Sequence, residues 1–335
     1  MSPAAWLPLA TALTRVRFPQ TTTEPASAWM RAARVLLERQ SPWVVLAFVV
    51  VQGLLLVSVL RLRRRVDAGP TPPPAPTAPG SRPASPLGML WTLAPWLLVG
   101  LVALPALEAA LRPPGVPAEA LRVNVIGHQW WWEIKYPDSG IVTATDVHVP
   151  VGRPVRFVLE SADVAHSLWL PAVSPRVDIP PLRRRELSFT PDRVGVFPGQ
   201  CAELCGASHA HMHLELFVDT PAAFAAWVAA QRAPRAEPPD SVYGGDIWQG
   251  EQLFVTHACR GCHTVRGLTD GPAGPDLTHF ASRTTIGSGM FQRSDSSLSH
   301  WLLDASALKE GSSMPGFPLP ERDMKQLVAW LQSLR

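Results

Sequence analysis

The sequence predicts a multidomain membrane protein: a two-helix transmembrane hairpin, then an all-β module, then a small all-α module. Three observations carry this. Two windows are almost wholly apolar. Short runs of alternating apolar and polar residues begin at Leu121. The chain closes on a helical stretch, Met324 to Leu334, with Leu327, Val328, Trp330, Leu331 and Leu334 forming a stripe. A chain of 335 residues has room for two or three modules with separate cores.

The first apolar window, Trp43 to Leu60, has only Gln52 and Ser58 as polar interruptions. At about 1.5 Å per residue it roughly spans the hydrocarbon core. Arg61, Arg63, Arg64 and Arg65 follow at once. The second window, Leu87 to Leu107, carries no charge, has Trp91 and Trp96 in its first half, and holds Pro95 and Pro105, which such a helix tolerates. Two buried helices of a soluble protein are the alternative. Between the windows, 61–86 is Arg-rich and then Pro-rich, the composition of a solvated connector. Positive-inside logic places it in the cytoplasm and both termini outside, although Arg31, Arg34 and Arg39 flank the other end of the first window. The first forty residues do not read as a cleavable secretory signal.

The net charge of +3 is unevenly placed. Residues 1–86 hold ten Arg against Glu24, Glu38 and Asp67, and the rest is slightly acidic. A basic pI so distributed argues for membrane flanks, and against nucleic acid as a partner. The four cysteines fall in two tight pairs, Cys201/Cys205 and Cys259/Cys262. Close pairs followed by His and Met read as cofactor sites, whereas disulfide frameworks scatter their cysteines.

Within the β-patterned region, Val155, Phe157 and Leu159 alternate with Arg156 and Glu160, and Leu214 and Leu216 flank Glu215. Turn residues separate such runs, which suggests a β-sandwich or barrel. On this scaffold lies Gly199-Gln-Cys-Ala-Glu-Leu-Cys-Gly-Ala-Ser-His-Ala-His-Met212, with Asp163-Val-Ala-His166-Ser167 upstream. Two thiolates, imidazoles and a thioether form a soft-to-borderline donor set that favours copper. A zinc site or a thiol redox pair is the competing reading.

These residues resemble subunit II of the haem–copper respiratory oxidases, with its binuclear CuA site in a cupredoxin-like Greek-key domain. The resemblance implies Cys201 and Cys205 as bridging thiolates, His166 and His209 as terminal imidazoles, and Met212 as the weak axial sulfur. It implies that Glu203 lends its carbonyl to one copper and its carboxylate to an interface Mg2+. The run Gly127-His-Gln-Trp-Trp-Trp-Glu133 resembles the stretch where electrons enter, with Trp130 at that position. A bare Trp cluster is otherwise core or a membrane-interface belt. His211 and His213 match no ligand and read as structural or solvent-facing.

Further on, Cys259-Arg-Gly-Cys262-His263 is the c-type haem attachment pattern. The thiols would form thioethers and His263 would ligate iron. Gly274-Pro-Asp-Leu277 follows, and Lys309-Glu-Gly-Ser-Ser-Met314-Pro315 offers Met314 as sixth ligand, unless that Met is simply core. His257, His279 and His300 lack the attachment spacing. This order resembles a small class I cytochrome c, whose His/Met ligation suits an upper-chain carrier.

A CuA subunit fused to a C-terminal cytochrome c resembles subunit II of caa3-type cytochrome c oxidases. The expected division is an N-terminal segment 1–42, a transmembrane hairpin 43–111 (spans 43–60 and 87–107), a CuA domain 112–232, a linker 233–245 and a cytochrome domain 246–335. The implied role is electron intake. An external donor such as a cytochrome c or a quinol-oxidising complex reduces the covalent haem c. The electron then passes to CuA, and on to subunit I, where O2 is reduced with proton translocation. The chain would sit in a bacterial-type inner membrane as a multi-pass protein in contact with lipid, both soluble modules outside, beside subunit I and subunit III. The same role in a CuA-containing nitric oxide reductase is the alternative. A Sco-type copper-delivery protein or a nitrous oxide reductase fragment fits less well, because of His209, Met212, the apolar windows and the haem motif.

Two departures from the resemblance stand out. Gly88 lies where many members carry a Glu at a proton-uptake path. Leu182 lies where a Gly is frequent, which predicts a changed turn. Residues 112–232 and 246–335 each sum to minus one, so strong steering between the modules is not expected and the tether would have to supply their encounter.

Overall fold

The computed structural model describes residues 22, 24–67, 86–111, 119–238 and 244–335. Most of the expected N-terminal segment, residues 68–85 of the expected cytoplasmic loop, residues 112–118 and residues 239–243 of the expected linker lie outside them. Two compact units divide the chain: Ala32–Gly115, and Met1–Arg31 together with Val116–Arg335.

The first unit is built on helix α1 (Ala28–Asp67) and helix α2 (Pro86–Leu111). At about 1.5 Å per residue α1 reaches about 60 Å, so it runs past the 43–60 window at both ends. Among the described residues, Ala28–Arg64 is the one stretch long and apolar enough to cross a membrane; the apolar part of α2, Thr92–Glu108, is shorter. Trp43, Phe48, Leu56, Trp96 and Leu104 are more than half exposed, the kind of apolar surface that marks a membrane or protein contact. Two hydroxyls bond within the helices: Ser58 Oγ donates to the Leu54 carbonyl at 2.7 Å and Thr92 Oγ1 to that of Met89 at 3.0 Å. Gln40 Nε2 donates to the Val102 carbonyl at 2.8 Å, joining the two helices.

In the second unit the β module is a sandwich of two five-stranded sheets, the cupredoxin-like form of the sandwich-or-barrel expectation. One sheet holds β1 (Leu121–His128), β2 (Trp131–Tyr136), β3 (Ile141–Ala144), β5 (Val155–Ser161) and β8 (Arg185–Phe189), ordered β3-β2-β1-β5-β8. The other holds β4 (Asp146–Pro150), β6 (His166–Trp169), β7 (Val177–Ile179), β9 (Gly195–Cys201) and β10 (His213–Asp219), ordered β4-β10-β9-β6-β7. Period-two alternation fixes which side chains meet. In β1, Leu121, Val123 and Val125 face inward, and β10 alternates in the same way through Leu214, Leu216 and Val218. Phe157, Leu159, Trp132 and Leu168 fill the space between the sheets, each contributing roughly 1.5–3 kcal/mol of burial. A Cβ at Gly199 would sit 2.6 Å from Leu170 Cδ2, so only glycine lets β9 pass there.

The chain just before α1 joins this sandwich. Ser27 Oγ donates to the Val173 carbonyl at 2.7 Å, and the Ala26 amide to that of Ala172 at 2.7 Å. Helix α3 (Pro221–Arg232) starts at Thr220, whose side chain accepts from the Ala223 amide, with Pro at the first helical turn. Its Trp227 stacks on His148 at 4.4 Å and meets Tyr136 edge-on.

The C-terminal module is helical. Helix α4 (Asp246–Thr256) packs on helix α8 (Glu321–Ser333), with Phe254 and Trp330 centroids 4.7 Å apart. They approach so closely that a Cβ on Gly250 would lie 2.1 Å from the Gln326 carbonyl oxygen. Between them come the short helix α5 (Cys259–Cys262), helix α6 (Asp295–Leu303) and helix α7 (Ala305–Leu308). Ser294 and Ser297 cap α6 reciprocally. The start of the expected linker is held: Arg266 donates to the carbonyls of Gln231 (2.7 Å) and Ala233 (3.3 Å).

Leu182, fully exposed, takes a φ of 61°. That is the left-handed region glycine favours, so Leu182 carries strain of roughly 1–2 kcal/mol.

Candidate copper and haem sites

The strands deliver the donor set to one end of the sandwich. His166 opens β6, Cys201 closes β9, and the loop from β9 to β10 carries Glu203, Cys205, His209 and Met212. The pairing of Leu168 with Cys201 holds the two strands in register. His166, Cys201, Cys205 and Met212 are buried. The two sulfurs are 3.8 Å apart. Cys201 Sγ lies 3.8 Å from His166 Nδ1 and 3.3 Å from the Glu203 carbonyl oxygen. Cys205 Sγ lies 3.5 Å from His209 Nδ1 and 3.9 Å from Met212 Sδ. Donors about 2.0 and 2.3 Å from one ion at a tetrahedral angle are separated by about 3.6 Å. The gaps are compatible with donors around shared ions, and each cysteine faces a different imidazole. This donor set fits copper.

The electrostatics agree. The thiol–thiol hydrogen bond to Cys205 holds Cys201 well below the usual thiol range, and the same contact, with burial, pushes Cys205 up. The pair thus gives up one proton readily and holds the second tightly. Burial opposes a charge on His166, but the Cys201 sulfur and the Asp163 carboxylate outweigh it and raise its pKa.

Asp163 is a residue that motif reading passed over. Its Oδ1 lies 2.7 Å from His166 Nε2 and accepts the Val164 amide, and its Oδ2 accepts the Gln129 amide at 2.7 Å. The carboxylate orients the imidazole so that Nδ1 faces the sulfurs. Its place three residues before a ligand was the available signal. Gly127 was also missed: a Cβ there would lie 2.8 Å from His166 Cδ2.

Trp130 is buried against the loop, its Nε1 donating to the Cys205 carbonyl at 2.9 Å, and Gln129 Nε2 donates to the same oxygen at 2.7 Å. The Glu203 carboxylate is 3.4 Å from Arg176. His211 lends its carbonyl to Lys309, and His213 pairs through its backbone with Ser288.

In the helical module Cys259, Cys262, His263 and Met314 all border a cavity of about 300 Å³, whose other walls include Phe254, Leu277, Phe280 and Leu331. His263 Nδ1 pairs with the Pro275 carbonyl at 2.9 Å, which leaves Nε2 as the nitrogen available to a ligand. Burial lowers its pKa, keeping the ring neutral. A Cβ on Gly274 would fall 2.7 Å from His263 Cε1, so the Gly274-Pro275 pair is shaped to the ring. Two thiols and an imidazole on one wall, a thioether on the same cavity and an apolar lining fit a covalently attached haem. His257 and His300 bond to main-chain carbonyls nearby in sequence, and His279 to that of Arg335, so none joins the cavity set.

Comparison with known proteins agrees with this division. The family described as cytochrome c oxidase subunit II, periplasmic domain, matches residues 141–218, and the cytochrome c family matches residues 247–335. A relative in Alkalihalophilus pseudofirmus named cytochrome c oxidase subunit 2 is 36% identical over 256 residues, covering 74% of this chain and 73% of its own. One of the same name in Bacillus sp. strain PS3 is 34% identical over 270 residues, covering 74% of each. Among solved structures, the periplasmic domain of subunit II of cytochrome oxidase of Bradyrhizobium japonicum is 32% identical, covering 35% of this chain and 97% of that one at a TM-score of 0.34. By the length and identity of its match to these relatives, the chain belongs to the cytochrome c oxidase subunit II family.

Proposed function

We propose that this chain takes in electrons for a haem–copper terminal oxidase, receiving them from an external donor at its cytochrome module and handing them through its copper module to subunit I. Cys259 and Cys262 would hold a c-type haem covalently, and His263 and Met314 would ligate its iron. His166, Cys201, Cys205, His209 and Met212, with the Glu203 carbonyl, hold two coppers. Bound there, the two groups supply reversible one-electron chemistry. Reduction of O2 to water and the accompanying proton translocation belong to subunit I.

The observation that carries this reading is the convergence of six donors, each within 3.3–3.9 Å of the Cys201 or the Cys205 sulfur, beside a cavity lined by the haem-attachment residues. The chain's own residues shape the transfer. Burial of His166, Cys201, Cys205 and Met212 excludes water, which limits reorganisation when charge changes. Asp163 fixes the His166 ring, and Trp130, bonded to the Cys205 carbonyl, offers the aromatic contact through which electrons reach the coppers.

In this account residues 112–232 form the copper domain and 246–335 the cytochrome domain, joined by 233–245. The windows 43–60 and 87–107 both cross the membrane as a hairpin, a pairing supported by the Gln40–Val102 hydrogen bond. Both soluble modules then face outward, and the chain contacts subunit III as well as subunit I. The Glu203 carboxylate, now beside Arg176, turns to an interface Mg2+ when subunit I is present.

The test is purification of the intact complex from membranes. Two coppers per chain, an EPR pattern of seven lines from one electron shared by two equivalent spin-3/2 nuclei, and haem stain retained on this chain in a denaturing gel are expected. Oxygen should be consumed in preference to nitric oxide. One copper, a four-line pattern or loss of the haem stain would contradict the cofactor assignment, and preferential nitric oxide consumption would contradict the oxidase.

A further inference from the structure

The cytochrome module is seated on the copper loop, and Lys309 lies at the centre of the contact. It is 4% exposed. Its Nζ donates to the carbonyls of Trp130 (2.6 Å), His211 (3.0 Å) and Gly287 (2.9 Å). An ammonium has three protons, so all three are used, two of them on the copper module. Burying a cation among carbonyl dipoles alone is costly, and burial lowers the Lys309 pKa to about 7. Neighbouring bonds close the same contact: Ser208 Oγ donates to the Glu310 carbonyl at 2.7 Å, and Ser288 Oγ to that of His213 at 2.9 Å.

Trp130 fits between two glycines. A Cβ on Gly206, in the copper loop, would lie 3.0 Å from its Cζ2; a Cβ on Gly311, in the cytochrome module, would lie 2.5 Å from its Cη2. Both glycines have positive φ, 116° and 81°. Gly206 directly follows Cys205, and Gly311 stands three residues before Met314. Backbone from each module therefore rests against the same indole, as no side-chain-bearing residue would allow.

We propose that the Lys309–Gly311 turn is a built-in docking element for Trp130, which holds the haem module in its electron-transferring position, so that transfer occurs within a fixed contact and not through diffusive encounter on the tether. Lys309 and Gly311 are positioning residues: Lys309 anchors the main chain at Trp130, and Gly311 lets the two surfaces close on the ring. The transfer they serve moves one electron from reduced haem to the oxidised copper pair; no bond breaks and no proton moves. A covered Trp130 also leaves external donors the haem module as their point of contact. This inference rests on the electron-intake reading.

The test uses the full oxidase complex with Lys309→Met and Gly311→Ala. Electron transfer from haem to copper is followed after rapid reduction of the haem, at increasing salt and viscosity. The wild-type rate should be insensitive to both, because the contact is buried and bonded to neutral carbonyls. Each variant should slow the step by about tenfold or more and make it viscosity-dependent. Both midpoint potentials and the Met–iron charge-transfer band should be unchanged. Wild-type rates in both variants would overturn the docking role, as would a viscosity-limited wild type. Loss of the Met–iron band in both would reassign the residues to support of the Met314 loop and equally overturn it. A wild type that holds both cofactors but passes no electron between them would instead sink the electron-intake reading.

Discussion

Replacing Asp163 by Asn keeps its size and removes its charge. The carboxylate serves three donors with two oxygens: Val164 N and His166 Nε2 at Oδ1, and Gln129 N at Oδ2. An amide has one acceptor oxygen. Turned toward His166, it sets its NH2 against the Gln129 amide; flipped, it sets NH2 against the imidazole N–H. Either way a donor loses its partner, a loss of about 1–3 kcal/mol. The same range follows from a weakened support of a ligating imidazole, about 10–100-fold in metal affinity. The Asp163 side chain is 32% exposed, and water can serve the orphaned donor, so the lower end, about tenfold, is expected. The assay is competition for copper between the purified complex and a chelator, with the copper potential measured alongside. A less basic His166 should also raise that potential. If copper affinity and potential are both unchanged, the carboxylate does not support the ligand, and the reasoning from the 2.7 Å contact fails.

Two further outcomes follow from the packing. Burial raises the Asp146 carboxyl to about 6 from 3.8; Glu215 adds to the rise, while the Thr284 amide bond and the Arg283 and His148 charges oppose it. The folded protein holds that proton more tightly, so the stabilisation is complete below about pH 4 and is lost as pH rises through 6. At roughly 1.36 kcal/mol per pH unit this amounts to about 3 kcal/mol at neutral pH; Asp146→Asn, which can keep an oxygen on Thr284, should raise the neutral-pH Tm and flatten the thermal stability profile between these values. An unaltered profile would refute this. Gly274→Ala puts a methyl 2.7 Å from His263 Cε1; haem stain should persist on a denaturing gel while the His/Met spectrum is lost, with a destabilisation of about 1–3 kcal/mol, and an intact spectrum would show that the ring has room.

The parts legible in the sequence are those written in contiguous residues. The Cys201–Met212 loop holds five of the six candidate copper contacts, and the Cys259–His263 run holds three of four for haem. Period-two alternation from Leu121 and the closing Met324–Leu334 stripe revealed the two cores because packing follows those periods. What stayed hidden depends on contacts between distant segments. Lys309 reads as one more surface lysine between Leu308 and Glu310, and only the fold brings it to Trp130 and His211. Asp163 is visible as a residue but not as a partner. Modules with like charge looked free to swing on a tether, because charge sums do not register an interface built from main-chain carbonyls and glycines.

The account stands most directly on one measurement. In the intact complex, a single electron is placed rapidly on the haem, and absorbance is followed at the haem and copper bands together. The account predicts that the haem reoxidises and the copper centre is reduced in one shared phase, slowed by Trp130→Ala while both centres keep their spectra. Haem that stays reduced while copper is reduced independently by the external donor would contradict it.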